Sequence, residues 1–259
     1  MKKIAIILLV VGLCATFVVG QTKRTAKTKK LSKISPSVAR TKPGLPSILP
    51  APIDPRSAEK NASKPLAEST LIELPKFEAE ILVELNRLRT NPADYAVYLE
   101  SYLKTFDGQY FRNSEGGLLT SFEGKTPVTE VIEILKQTKS LPEFKVADGM
   151  VKAASDHARD LVKNNKTGHQ GTNGSFPDER VGLYGSAPAG TNENISYGPR
   201  TARDVVLTML VDDGNTSRNH RKNLLNPNLK IVGLATGQIK EAGMACVLVL
   251  ATSFSESSK

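Results

Sequence analysis

Everything able to build a folded core in this 259-residue chain lies downstream of one basic, proline-rich stretch. From Gln21 to Ala67 there are 11 Lys or Arg residues against two acids, and seven of the chain's fifteen prolines. The stretch has few large apolar residues and no periodicity, so it cannot bury enough surface to offset its ordering entropy and reads as a disordered linker. The formal net charge of +9 belongs to this segment: Glu68 to Lys259 holds 22 basic and 24 acidic residues. The basicity therefore describes a tail and not the folded part. Such a tail acts as a solvated spacer with some attraction to anionic surfaces, such as cell-wall polymer or lipid headgroups.

Ahead of the tail, Met1-Lys2-Lys3 is followed by an apolar run from Ile4 to Val19 and then Gly20. A short basic start, an apolar middle and small residues near its end read as a secretory signal, cleaved before Gln21. The run is short for a spanning helix, so no transmembrane domain is expected once the signal is removed. Removal also takes Cys14 away and leaves Cys246 alone, so the exported domain must be stabilised by its core without disulfides. The expected organisation is a signal over 1–20, a linker over 21–67 and one domain over 68–259. The expected location is secreted or the cell envelope, which makes nucleic acid an unsuitable partner.

Within the domain, Phe77, Ile81, Leu85 and Leu88 fall on one helical face, and Asn91-Pro92 opens a second segment. Residues 105–125 read as loop. Thr126-Pro127 starts a short helix, and Asp148 is expected to cap a longer one carrying Met150, Ala153, His157, Leu161 and Val162 on its apolar side. Residues 192–197 are expected to be extended. Thr201, with Asp204 three residues on, marks another helix start. Leu229–Gly237 and Met244–Thr252 predict a hairpin. Helices surrounding a small antiparallel sheet give an α+β domain.

Asp212 to Pro227 is a polar loop between an apolar helix pattern and an apolar strand pattern, where binding or chemistry tends to sit. It carries His220, one of only three histidines; the others are His157 and His169. No CxxC, HExxH, phosphate loop or dinucleotide fingerprint is present. His157 lies on its helix's apolar face and reads as a packed, hydrogen-bonded histidine. Arg218 and Arg221 are expected to pair with Asp212 or Asp213.

Several short motifs occur in a fixed order: Leu141-Pro142-Glu143-Phe144, Asp156-His157-Ala158-Arg159-Asp160-Leu161, Gly168-His169, Asn192-Glu193-Asn194-Ile195, His220 to Pro227, and Val232-Gly233-Leu234-Ala235. Together they resemble the CAP superfamily of cysteine-rich secretory, antigen 5 and pathogenesis-related proteins (the SCP domain), in its disulfide-free bacterial form, over roughly Phe77 to Phe254. The resemblance implies a three-layer α-β-α sandwich with a cleft holding two histidines and two acids. Matched residue by residue, these are His169, Glu193 and His220, with Asp213 as the second acid and Asp212 as its rival. This chain has Asp where the pattern has Glu, one methylene shorter.

Two neutral imidazoles with one or two carboxylates suit Zn²⁺ or another divalent ion on His169 and His220. Without metal the same groups form a polar, pH-sensitive binding site. The expected function is an exported, non-catalytic binding module for a lipid-like or cell-envelope ligand. The alternative is a metal-dependent hydrolase or peptidase in which zinc activates water and Glu193 serves as ligand or base. A third reading is a structural role at the envelope.

Overall fold

The computed structural model describes residues 72–258; the signal-like segment and the basic linker lie outside them. Two apolar helices open the domain, α1 (Lys76–Thr90) and α2 (Pro92–Leu103), followed by a small hairpin of β1 (Tyr110–Arg112) and β2 (Leu118–Thr120). Then come α3 (Thr126–Gln137), β3 (Lys145–Val146), α4 (Asp148–Asn164) and α5 (Pro177–Gly182). Next are β4 (Gly185–Ser186), β5 (Thr191–Tyr197), α6 (Ala202–Val211) and α7 (Asn219–Leu224), and the chain closes with β6 (Ile231–Ile239), β7 (Gly243–Ala251) and β8 (Ser255–Glu256).

The expected hairpin is β6 and β7, paired antiparallel, with Leu234 opposite Leu248. They sit inside a four-stranded sheet of order β3-β6-β7-β5. The sheet is not wholly antiparallel, because β3 pairs with β6 in the parallel sense. Strand β7 is central, and its alternation serves two cores. Cys246, Leu248 and Leu250 join Leu85, Leu99, Val131 and Leu210 from α1, α2, α3 and α6. Val247, Val249 and Ala251 join Met150, Ala154 and Leu161 from α4 and Val181 from α5. The α+β domain is thus a sheet between two helical layers.

Helix α4 lies so close to β6 that a Cβ on Gly233 would stand 2.0 Å from the Met150 carbonyl carbon and oxygen. Glycine there is what lets the layers meet. Three local expectations shift, the first being that residues 105–125, read as loop, hold the β1–β2 hairpin. Asp148 is the first residue of α4 rather than a side-chain cap, and Val162 is exposed because it falls beyond the edge of the buried stripe. Thr201 does cap α6, accepting the Asp204 amide at 3.1 Å.

Arg89, at the end of α1, is fully buried and faces carbonyls instead of a carboxylate. Its guanidinium donates to Pro142 O at 2.6 Å, Leu224 O at 2.8 Å and Leu229 O at 2.9 Å, and stacks 4.0 Å from the Phe144 ring. Burial pulls its pKa down to about 10. This one side chain fixes α7 and the turn leading into β6, and so the segment that follows His220.

Candidate functional site

Glu193 and Asn194 are consecutive residues of β5, so their side chains leave the strand on opposite faces. Glu193 turns toward α4 and α5, and Asn194 toward α7. Around each, the chain builds one histidine–acid pair.

The first pair is His169 and Glu193, with imidazole Nδ1 2.8 Å from carboxylate Oε1. The Glu193 side chain is 2% exposed and that of His169 49%. The second carboxylate oxygen, Oε2, accepts from Arg180 Nη2 at 2.7 Å. Arg180 is itself buried and also donates to the carbonyls of His169 and Ser175, so it holds both the acid and the loop carrying the histidine. His157 lies beneath. It is fully buried, and its Nε2 is 2.9 Å from the Gly168 carbonyl and 3.9 Å from Glu193 Oε1. Burial lowers the His157 pKa and the Glu193 charge opposes that shift only in part, so the ring is neutral. The Gly168 amide in turn donates to the Tyr197 hydroxyl at 2.8 Å. The loop is therefore gripped at both sides of Gly168, whose φ of +105° favours glycine.

The second pair is His220 and Asp212, Nδ1 to Oδ1 at 2.8 Å. Asp212 ends α6 in the left-handed region, at φ 57°. That turn points its carboxylate at the start of α7, where Oδ2 accepts the His220 amide at 2.9 Å and the Arg221 amide at 3.3 Å. An acid is unfavourable at a helix C-terminus and favourable at an N-terminus. Asp212 is at the first by sequence and at the second in space.

Asp213, the residue expected to complete the site, does not face His220. Its oxygens accept the Phe122 and Glu123 amides at 2.9 and 3.0 Å. The physical reason is the left-handed residue before it, which sends adjacent side chains apart. The arginines also differ from expectation. Arg218 pairs with Glu123 at 2.6 Å and Glu130 at 3.0 Å, and Arg221 with Glu130 at 3.0 Å. Hydrogen bonds from Arg218 hold the Glu123 and Glu130 carboxyls below their ordinary range. Arg221 further donates to the carbonyls of Leu210 and Val211, closing the end of α6. These contacts clamp the 212–221 loop to α3 and the segment before it. On the other side, Asn194 donates to the His220 carbonyl at 3.1 Å and accepts from Asn223 at 2.8 Å.

Arg180 was not singled out from the sequence. Its only signal is a lone arginine beside Val181 in a short helical segment. A carboxylate accepts and does not donate, so both site histidines carry their proton on Nδ1 and offer Nε2 outward. This is the tautomer a metal ligand would have, but the carboxylates are already used by the protein. Among the described residues no group of three or more His, Cys, Asp or Glu is placed to hold a metal ion. That leaves His169 and His220 as two imidazole donors, one fewer than the three protein ligands of a catalytic zinc site.

Residues 84–250 match the family model described as CAP, the cysteine-rich secretory protein family. The chain is similar to the uncharacterized protein YkwD of Bacillus subtilis (strain 168), 27% identical over 116 residues. That match covers 45% of this chain and 42% of YkwD, so the chain spans less than half the length of that relative. Among solved structures, it is similar to an outer surface protein from Borrelia burgdorferi, at 19% identity and TM-score 0.37, covering 51% of this chain and 96% of the other. An extracellular SCP-domain protein from Bacillus anthracis str. Ames matches at 19% identity and TM-score 0.32, covering 47% and 37%. The CAP domain of enterococcal PrgA matches at 16% and 0.31, covering 59% and 69%.

Proposed function

The chain belongs to the CAP family of cysteine-rich secretory proteins, and from that premise we propose that it is an exported binding module holding a cell-envelope ligand without turnover. The carrying observation is that both site carboxylates are spent inside the protein. Glu193 is shared by His169 and Arg180, and Asp212 by His220 and two amides. Neither carboxylate is left free to act as a base or a metal ligand, and each histidine presents one nitrogen edge. A neutral Nε2 accepts a ligand hydroxyl or amide hydrogen, and on protonation it becomes a donor. Such edges suit the hydroxyls and amides of wall material better than an acyl chain, which favours the envelope ligand over the lipid-like one.

The hydrolase alternative is less well supported. It needs a third protein ligand beside two imidazoles and a carboxylate free of the Arg180 ion pair. The signal-like start supports export, and no described helix is long and apolar enough to cross a membrane. The basic stretch 21–67 would add salt-sensitive attraction to anionic wall polymer.

Cosedimentation of the full chain with purified bacterial cell wall, with a zinc chelator present throughout, tests this reading. Saturable binding should survive about 1 M salt, a concentration that screens tail charges. It should drop at least tenfold in His169→Gln/His220→Gln, which keeps bulk but removes both Nε2 edges. Binding abolished by salt alone, or untouched in the double variant, contradicts the proposal.

A further inference from the structure

Strand β5 is an outer strand of the four-stranded sheet, with β7 on one side and no strand on the other among the described residues. In an antiparallel pair, residues alternate between bonding the neighbour and pointing their N–H and C=O groups away from it. Bonds at both ends of the strand give the parity. Gly198 N donates to Met244 O at 2.8 Å, one step beyond the Tyr197–Ala245 pair, so the even-numbered residues of β5 face β7. On the far side of β7, Ala251 O accepts from Lys230 N at 3.0 Å, so odd residues of β7 serve β6 and even ones remain for β5. At the start of β5, Thr191 N donates away from β7, to Asp178 Oδ1 at 2.7 Å. Glu193, Ile195 and Tyr197 therefore direct their N–H and C=O groups outward, and none of these groups has a hydrogen-bond partner among the described residues.

Solvent reaches this edge. Glu193 is partly exposed although its side chain is only 2% exposed, so what lies open is its main chain. Tyr197 is also partly exposed, and Ile195 between them is 6% exposed, which makes the edge the floor of a groove. One wall is the loop carrying His169, bonded to the Glu193 side chain. The other is the start of α7, where Asn194 donates to the His220 carbonyl. Asp178 closes the edge at Thr191, and Pro199 follows its other end. Edge strands are commonly blunted by lysine, proline or a bulge. From Asn192 to Tyr197 there is no lysine or proline, and the register with β7 is unbroken.

We infer that the groove takes an extended segment of another protein, which adds to β5 as a further strand of the sheet. A row of N–H and C=O groups repeating every second residue is matched by a peptide backbone of the same spacing. A sugar chain has no such repeat of paired donor and acceptor. The peptide is held by main-chain groups of β5 and not by the imidazole edges, which only flank it. The interaction therefore goes beyond the wall binding proposed above and does not depend on it.

The test is titration of the full chain with an end-capped heptapeptide of alternating threonine and valine, read by amide NMR and hydrogen exchange. Saturating peptide should slow exchange of the Glu193, Ile195 and Tyr197 amides about tenfold or more. The amides of Asn192, Asn194 and Ser196, which already face β7, should not change. Two N-methylated peptides separate strand addition from side-chain binding and leave the protein itself untouched. Methyl groups on every second amide block one edge of the peptide and spare the other, so this peptide should still bind. Methyl groups on two adjacent central amides block both edges and should weaken binding about tenfold or more. Binding of the unmodified peptide should persist in His169→Gln/His220→Gln. The inference is overturned by any of four results: no saturable binding, exchange slowed equally at odd and even positions, equal affinity of the two methylated peptides, or loss of peptide binding in the double histidine variant. Wall cosedimentation is a separate readout, because the function proposed above fails only on the His169 and His220 edges.

Discussion

The two histidine–acid pairs have the same Nδ1-to-carboxylate distance, 2.8 Å, but opposite surroundings. Glu193 has a buried arginine as its permanent counter-ion, so its histidine is a half-exposed addition to an ion pair that is complete without it. Asp212 has no second cationic side chain on its oxygens among the described residues. Backbone amides and Asn215 hold it, and His220 is its one titratable partner. One pair is built around a fixed charge and a half-exposed ring, the other around a ring that is part of the scaffold. The same residue types therefore carry different energetic weight.

The largest effect should come from removing the fixed charge. Arg180→Met leaves Glu193 buried beside a fully buried, neutral His157, and breaking a buried pair in this way costs roughly 3–5 kcal/mol. Urea unfolding should show that loss, with part of it restored when Glu193→Gln is added. Failure of the second substitution to restore anything would mean that Arg180 acts by packing and its carbonyl bonds alone. Next in size, His220→Ala should cost about 1–3 kcal/mol, because a buried carboxylate loses a hydrogen-bond donor. His169→Ala should cost less than about 1 kcal/mol, since its ring is half exposed and Arg180 remains. Equal losses in the two histidine variants would erase the asymmetry.

The smallest effect is a pH dependence that comes from His157, beneath Glu193. The pKa of His157 is lower folded than unfolded. Between those values the unfolded chain binds more protons, so stability rises with pH across that window. It should fall as pH drops below about 6.5, the ordinary histidine value, and level off below the folded value. Urea unfolding of wild type and His157→Gln between pH 7.5 and 5 should show a shallower slope in the variant. Equal slopes would assign the pH dependence to other groups.

Much of the fold is legible in the chain because its signals are periodic. Ile81, Leu85 and Leu88 on α1 and the alternating residues of β7 announce both the elements and the faces they bury. The short β3 is not legible: two residues, Lys145 and Val146, take their strand character from pairing with Ile231 and Val232. Likewise α7 hides in a polar loop, because its start is satisfied by Asp212, a residue of the preceding helix end. The site divides along the same line. Glu193 and His169 are legible only through the family resemblance that Asn-Glu-Asn-Ile and Gly-His help to carry. Choosing Asp212 over Asp213 depends on a left-handed residue, and aspartate carries no strong local signal for that conformation. Arg180 and the Glu123–Arg218 clamp depend on contacts between distant segments, to which sequence periodicity is blind.

Imidazole ¹⁵N spectra of the full chain, recorded with and without one equivalent of Zn²⁺ at neutral pH, test the central claim most directly. The two-pair arrangement predicts protonated Nδ1 and bare Nε2 for His169 and His220, the reverse tautomer for His157, and no joint shift of His169 and His220 on adding zinc. Stoichiometric zinc that moves both Nε2 signals together in slow exchange would contradict it, and would restore the single metal-binding cleft.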